Sequence, residues 1–269
     1  MAPLDTISDE ILLRSDRDGI ATLVLNRPSA LNALSEEMLG TLQSQFDALA
    51  VDQTVKAVVI RGAGRAFCAG HDLKQMTAAR QAPDGGRAAF TALFAQCARM
   101  MTSIHHLPQP VIAEVHGIAT AAGCQLVATC DMAVAAETTR FGVNGVNIGL
   151  FCSTPMVALS RNIPMKQAFE MLTTGDLIGA ERAREVGLVN RVVPDEQLET
   201  AARGLAEQVA SKLASAVRVG KRAFYEQAEM SLDAAYAHTG RVITENMLHR
   251  DTAEGVAAFL EKRPPDWPE

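Results

Sequence analysis

Two stretches rich in glycine and alanine hold the residues best placed for chemistry. They are Ala66-Phe67-Cys68-Ala69-Gly70-His71-Asp72-Leu73 and Gly117-Ile118-Ala119-Thr120-Ala121-Ala122-Gly123-Cys124-Gln125-Leu126. Each follows a strand-like run, and the second opens a helix-like run. Small residues let a ligand approach the backbone closely. Two such turns can aim two peptide N–H groups at one oxygen, the design of an oxyanion hole. Taken singly, each turn reads equally well as a tight junction packing strand against helix.

The surrounding pattern supplies elements to hold these turns. Ile11–Arg14 and Ile20–Leu25 flank a turn containing Asp18-Gly19 and read as two strands. Ser35-Glu36-Glu37 opens a helix to about Leu49, with Leu39, Leu42, Phe46 and Leu49 at helical spacing. Lys56–Arg61 reads as a buried strand, Arg87–His105 as a helix, Pro110–Val115 as a strand, Ala121–Thr129 as a helix and Met132–Ala136 as a strand. Pro83-Asp84-Gly85-Gly86 marks an exposed segment over Ala78–Gly86. From about Met165 helices dominate: a short one opens at Gly179-Ala180-Glu181, and longer ones cover Gln197–Ala214, Val217–Glu229, Leu232–His249 and Thr252–Lys262, with a last strand at Val189–Val193. Alternating short apolar runs and helices indicate an α/β domain. Periodicity alone leaves a doubly wound sheet open as well.

Composition narrows the function. The 269-residue chain carries a net charge of −6 and no block of lysine and arginine, which argues against nucleic acid as a partner. No apolar run approaches the roughly 20 residues of a membrane span, so no membrane partner is expected. The five cysteines form no CxxC pair, so reduced thiols are expected, with no disulfide framework and no metal. The acidic N-terminus lacks a long apolar stretch and argues against a secretory or transit segment, pointing to a cytoplasmic location. Without a GxGxxG between an early strand and helix, a nucleotide-binding oxidoreductase is a poor reading.

Taken together and in order, the two turns, the segment from Asn26-Arg27-Pro28 to Asn32-Ala33-Leu34, and the Cys130-Asp131 pair resemble the enoyl-CoA hydratase/isomerase family, the crotonase superfamily. The resemblance runs from about Ile20 to Arg263. It implies a crotonase-type spiral of β-β-α turns with a C-terminal helical trimerisation region. Residues 1–195 would form the acyl-CoA-binding core and residues 196–269 the oligomerisation region of a homotrimer or dimer of trimers.

The resemblance also implies a ligand, an acyl-CoA thioester, with coenzyme A belonging to the substrate and no separate cofactor. The backbone N–H groups of His71 and Ala122 would hold the thioester oxygen. Ser29, Ala30 and Leu31 match the loop that meets the nucleotide part of CoA. Ala69, Gly70, Asp72 and Leu73 match the segment along adenine and pantetheine. Phe259 and Lys262 match a C-terminal element that reaches CoA, often a neighbouring subunit's. Arg27 and Lys74 are candidates for phosphate contact, although each reads equally well as solvated surface charge.

One departure concerns the reaction. Hydration needs a base to activate water and an acid for the α-carbon. Family members use two glutamates, and the matching positions here are Gln125 and Gly145. Loss of one general acid–base group typically removes about 10²–10⁴-fold in rate. Cys152 and Ser153 sit where relatives place other reactive groups, and a buried thiol with a capping hydroxyl is the plainer reading of both. His116 reads as a hydrogen-bonded structural residue or as a catalytic one. Decarboxylation asks least of the missing pair, because departing CO₂ leaves the enolate electrons behind. The expected function is an enzyme that stabilises a thioester enolate or oxyanion, with ordinary hydratase activity in question. The alternative is a non-catalytic acyl-CoA-binding or assembly protein.

Overall fold

The computed structural model describes residues 10–267. The N-terminal reading therefore falls largely outside the described residues. In chain order the strands are β1 (Leu12–Arg17), β2 (Ile20–Leu25), β3 (Ala57–Gly62), β4 (Val111–Val115), β5 (Ile118–Thr120), β6 (Met132–Ala136), β7 (Arg140–Gly142), β8 (Ile178–Gly179) and β9 (Arg191–Val193). Asp18 and Gly19, both at positive φ (55° and 73°), close the β1–β2 hairpin. That turn geometry matches the right-handed twist of paired strands. The remaining joins of the larger sheet, ordered β1-β2-β3-β4-β6-β9, are parallel. A smaller sheet is ordered β5-β7-β8.

Parallel strands are covered on both faces, so their residues are apolar almost throughout. Val58 and Ile60 point into the larger core, while Ala57 and Val59 point into a second one. The larger core is closed by α1 (Glu36–Val51), α3 (Arg87–His106) and α4 (Ala122–Thr129), with the short α2 (Leu73–Ala79) before α3. Ser35 caps α1 by accepting from the Met38 N–H, and the buried stripe Met38, Leu39, Leu42, Phe46 and Leu49 faces the core. α3 presents Leu93, Cys97, Met100, Met101 and Ile104 in the same way.

After β7 come α5 (Ser153–Asn162), α6 (Met165–Thr174) and α7 (Ala180–Glu185). α8 (Leu198–Ala210) covers the second sheet face with Leu198, Ala202, Leu205 and Ala206. The helix expected to continue to Ala214 ends at Ala210, and α9 (Ala214–Ala228) starts after a break. The chain must turn there because α8 lies on the sheet while α9 packs on α3. α10 (Leu232–Leu248) and α11 (Arg250–Glu261) follow. Patterning missed α2, α5 and the strands β5, β7 and β8; these strands are two or three residues long and too short to show a period. The result is the mixed α/β fold that the resemblance implied.

Candidate active site

Both glycine/alanine turns leave the carboxyl ends of adjacent parallel strands, the usual ligand position in such sheets. The first connects β3 to α2, and the second runs from β4 through β5 to α4. They are stitched together: the Cys68 N–H donates to Ile118 O (3.2 Å), and the Thr120 N–H donates to Cys68 O (3.0 Å). Gly123 permits this contact, since a Cβ there would lie 2.1 Å from Cys68 O. Gly70 adopts φ +96°, and a Cβ on it would sit 2.9 Å from Ala121 Cβ and 3.3 Å from Ala122 N. An alanine at 70 would thus be both strained and intrusive.

Ala122 is the first residue of α4, where a helix leaves its N–H groups unpaired. Ala121, at φ 49°, ψ −119°, sets the direction of that peptide, and its own N–H donates to Gly142 O at 2.9 Å. At His71 the chain bridges to Leu34, with the Leu34 N–H donating to Gly70 O at 2.8 Å. Among the described residues, neither the His71 N–H nor the Ala122 N–H donates to another protein group. Both residues line one cleft of about 360 Å³.

The cleft walls are mainly apolar, including Leu73, Met76, Phe94, Ile148, Leu150 and Phe151. Among the described residues none of the lining side chains is Asp, Glu, Lys or Arg. Its titratable side chains are His71 and Cys152. Burial lowers the His71 pKa, partly opposed by its bond to Leu34, so the ring is neutral at pH 7. Burial raises the Cys152 pKa, so its sulfur is a thiol and not a thiolate. The other cysteines lie in the core, and burial pushes the Cys68, Cys97 and Cys124 thiols up to about 12.

Gly145 and Cys152 meet in the cleft wall. A Cβ at 145 would lie 2.3 Å from Leu150 O and 2.8 Å from Cys152 Sγ. Backbone and thiol therefore occupy the space a side chain at 145 would need. Gln125 is on α4 but is buried behind the wall, 5% exposed, with Oε1 unpartnered among the described residues. Ser153 begins α5 and lines the cleft.

Of the residues matched to CoA, Ala69 and Leu73 line this cleft, and the others lie outside its lining. Ser29 and Ala30 form part of a 3-10 turn, and Leu31 follows in a left-handed conformation (φ 50°). Leu31 O accepts from the Ala69 N–H at 3.0 Å, joining this loop to the first turn. Asp72 caps α2 by accepting from the Lys74 and Gln75 N–H groups and lies 3.6 Å from Arg27. Lys74 is exposed on α2. Phe259 and Lys262 are on and just after α11, outside the lining of the cleft; Phe259 is 83% exposed. His116 hydrogen-bonds Gly64 O at 2.8 Å and does not line the cleft.

Phe94, Thr154 and Pro155 also line the cleft. Met76 went unnoticed, although its spacing from Leu73 puts both on one face of α2. Asn32 is a second omission: its fully buried amide donates to Ala63 O and Ala66 O (2.9 and 2.7 Å) and accepts from the Arg27 N–H at 2.9 Å. It holds the first turn to the 27–32 loop.

The model of the enoyl-CoA hydratase/isomerase family matches residues 15–269. Enoyl-CoA hydratase domain-containing protein 3, mitochondrial, from Rattus norvegicus is 45% identical over 251 residues, covering 93% of this chain and 82% of that protein. A probable enoyl-CoA hydratase of Mycobacterium bovis is 36% identical, covering 94% and 95%. Among solved structures, an enoyl-CoA hydratase of Mycobacterium smegmatis has 52% identity and a TM-score of 0.93, covering 96% of this chain and 99% of that one. The human domain-containing protein 3 has 42% identity and a TM-score of 0.91, covering 96% and 100%. With its family model spanning nearly the whole chain, and with relatives this similar in sequence and fold, the chain belongs to the enoyl-CoA hydratase/isomerase family.

Proposed function

We propose that this chain binds an acyl-CoA thioester with its carbonyl oxygen between the His71 and Ala122 N–H groups. The observation that carries the reading is the pair of unclaimed donors on one apolar cleft. Charge developing on that oxygen would be stabilised without any titrating group, and one such donor is worth roughly 3–4 kcal/mol in a hydrolase. The 27–31 loop, Ala69, Gly70, Asp72, Leu73 and Lys74 would carry the rest of CoA. No separate cofactor is needed.

Ordinary hydration is disfavoured, because among the described residues no carboxylate lines the cleft. Decarboxylation suits such a site better, since it generates the enolate without a base. The same lack of carboxylates favours a second reading, an acyl-CoA-binding or assembly protein without turnover. Calorimetric titration with butyryl-CoA, the loss of crotonyl-CoA absorbance and CO₂ release from a β-carboxyacyl thioester such as malonyl-CoA test these readings. The first reading expects thioester binding with little hydration. Fast hydration would show that another group does the acid–base work, and absence of thioester binding would reject the whole proposal. Binding with no turnover of any thioester selects the second reading.

Assembly through the C-terminal helices is part of the proposal. α9–α11 expose Phe224, Leu232, Tyr236, Ile243, Leu248 and Phe259. Such a surface suits burial in a trimer or dimer of trimers. Analytical ultracentrifugation decides between these and a monomer. We place the chain in the cytoplasm. Five free thiols suit a reducing compartment, and fractionation of tagged protein tests this against the mitochondrial location named for the rat and human relatives.

A further inference from the structure

The cleft is mainly apolar, but polar side chains gather where two segments of its wall meet. One segment is the 3-10 turn over Asn144–Ile148, and the other is the start of α5. They touch at Gly145 and Cys152, where a Cβ on the glycine would lie 2.8 Å from Cys152 Sγ. Asn144 immediately precedes this contact, and Thr154 follows it by two residues. Both are half-buried and line the cleft. The other neutral polar side chains of the lining are already engaged. Thr120, Asn147 and Ser153 donate to the carbonyls of Ala69, Gly175 and Phe151 at 3.2, 3.2 and 3.4 Å. Asn144 and Thr154 have no side-chain hydrogen-bond partner among the described residues, and their polar atoms remain accessible. An amide and a hydroxyl can each donate to an oxygen. A plain hydrocarbon chain laid over them would take away their water and return no hydrogen bond, which is costly. An oxygen on that chain would replace the water.

We infer that Asn144 and Thr154 form an oxygen-binding subsite for the acyl group of the bound thioester. The inference rests on the acyl-CoA reading above and deepens it by naming a substrate class: acyl thioesters with an oxygen substituent on the chain. Two sources share that chemistry, a hydroxyl and a carboxylate. Either accepts from Asn144 Nδ2 and from the Thr154 hydroxyl, and a hydroxyl can also donate back to Asn144 Oδ1. Both residues then set specificity, while the thioester oxygen stays with the backbone donors.

The test is calorimetric titration of the wild-type protein with butyryl-CoA, 3-hydroxybutyryl-CoA and succinyl-CoA, which match in chain length. The expected result is an oxygenated thioester that binds about tenfold more tightly than butyryl-CoA. A gain with 3-hydroxybutyryl-CoA identifies the hydroxyl, and a gain with succinyl-CoA identifies the carboxylate. Asn144→Leu combined with Thr154→Val removes the donors at similar volume and should abolish the gain. Thr154→Ser, which keeps the hydroxyl, should retain it. Butyryl-CoA binding by the double variant reports that its cleft is folded, and the wild-type comparison stands without it. Equal affinities of the wild type for all three thioesters overturn the inference and leave the acyl-CoA reading standing, as does a gain that survives the double substitution. Absence of binding by all three overturns both.

Discussion

The two ends of α4 bury polar groups in opposite ways. At its N-terminus, among the described residues, the buried His71 Nε2 has no partner, two peptide N–H groups are unclaimed and no charged side chain lines the cleft. Just past its C-terminus, Asp131 is enclosed by partners. It accepts from Lys221 Nζ (2.7 Å), the Val111 N–H (2.6 Å) and the Tyr225 hydroxyl (2.7 Å). Lys221 spends its other hydrogens on Ile104 O and Gln109 O at 2.8 and 2.9 Å. His105 stacks on Tyr225 with centroids 4.2 Å apart. Burial lowers the Lys221 pKa while Asp131 opposes it. A cluster satisfied from every side holds α9 to the core and has nothing left for a ligand. A cluster left incomplete is where a ligand can contribute.

The sharpest way to break this contrast is to damage the complete end. Asp131→Ala strands a buried lysine and should cost about 3–5 kcal/mol in urea unfolding. Replacing the pair together, as Asp131→Leu with Lys221→Met, should restore much of that loss, because apolar pairs of similar size often replace buried ion pairs without penalty. If the single variant unfolds at the wild-type midpoint, the cluster is not the anchor of α9.

Damage at the open end should be smaller in stability and larger in binding. Gly145→Ala forces a methyl against Leu150 O and Cys152 Sγ. Overpacking of this kind costs about 1–3 kcal/mol, and the shifted wall should weaken butyryl-CoA affinity measured by calorimetry. Unchanged affinity would detach this wall from the ligand. The same clash means that a glutamate cannot simply be introduced at 145.

Chemical reactivity gives a milder test. Cys152 is 7% exposed and its pKa is raised by burial. Iodoacetamide at pH 7 should modify it far more slowly than a free thiol, and butyryl-CoA should slow it further. Rapid modification would reveal an activated thiolate.

The smallest expected effect is on the pH dependence of stability. The folded-state pKa of His71 lies below its ordinary value of 6.5. The unfolded chain therefore binds the proton more readily. The contribution is fully present above pH 6.5 and is lost as pH falls through the lower folded-state value. His71→Phe should flatten the urea midpoint over that acid range. His105, also lowered by burial, leaves a residual slope. An unaltered profile would mean that His71 is not held neutral by the fold.

Much of this molecule was legible from local pattern. α1 and α3 repeat apolar residues at helical spacing, and the Asp18-Gly19 turn carries its own chemistry. The turns around Gly70 and Gly123 could be found because close backbone approach demands small residues. The short strands of the second sheet carry no period, and the break after α8 comes from tertiary packing, so neither could be read locally. Gln125 was legible as a residue but not its place behind the cleft wall.

The sequence by itself determined the family and the alternation of strand and helix. Only the tertiary structure decided what fills the space beside Gly145. Leu150 O and Cys152 Sγ arrive there from the next loop, and no spacing along the chain reports contacts across a fold. It also decided which His71 nitrogen keeps its hydrogen. That depends on a carbonyl 37 residues away in the chain, at Leu34, because a tautomer is selected by its hydrogen-bond partner in space.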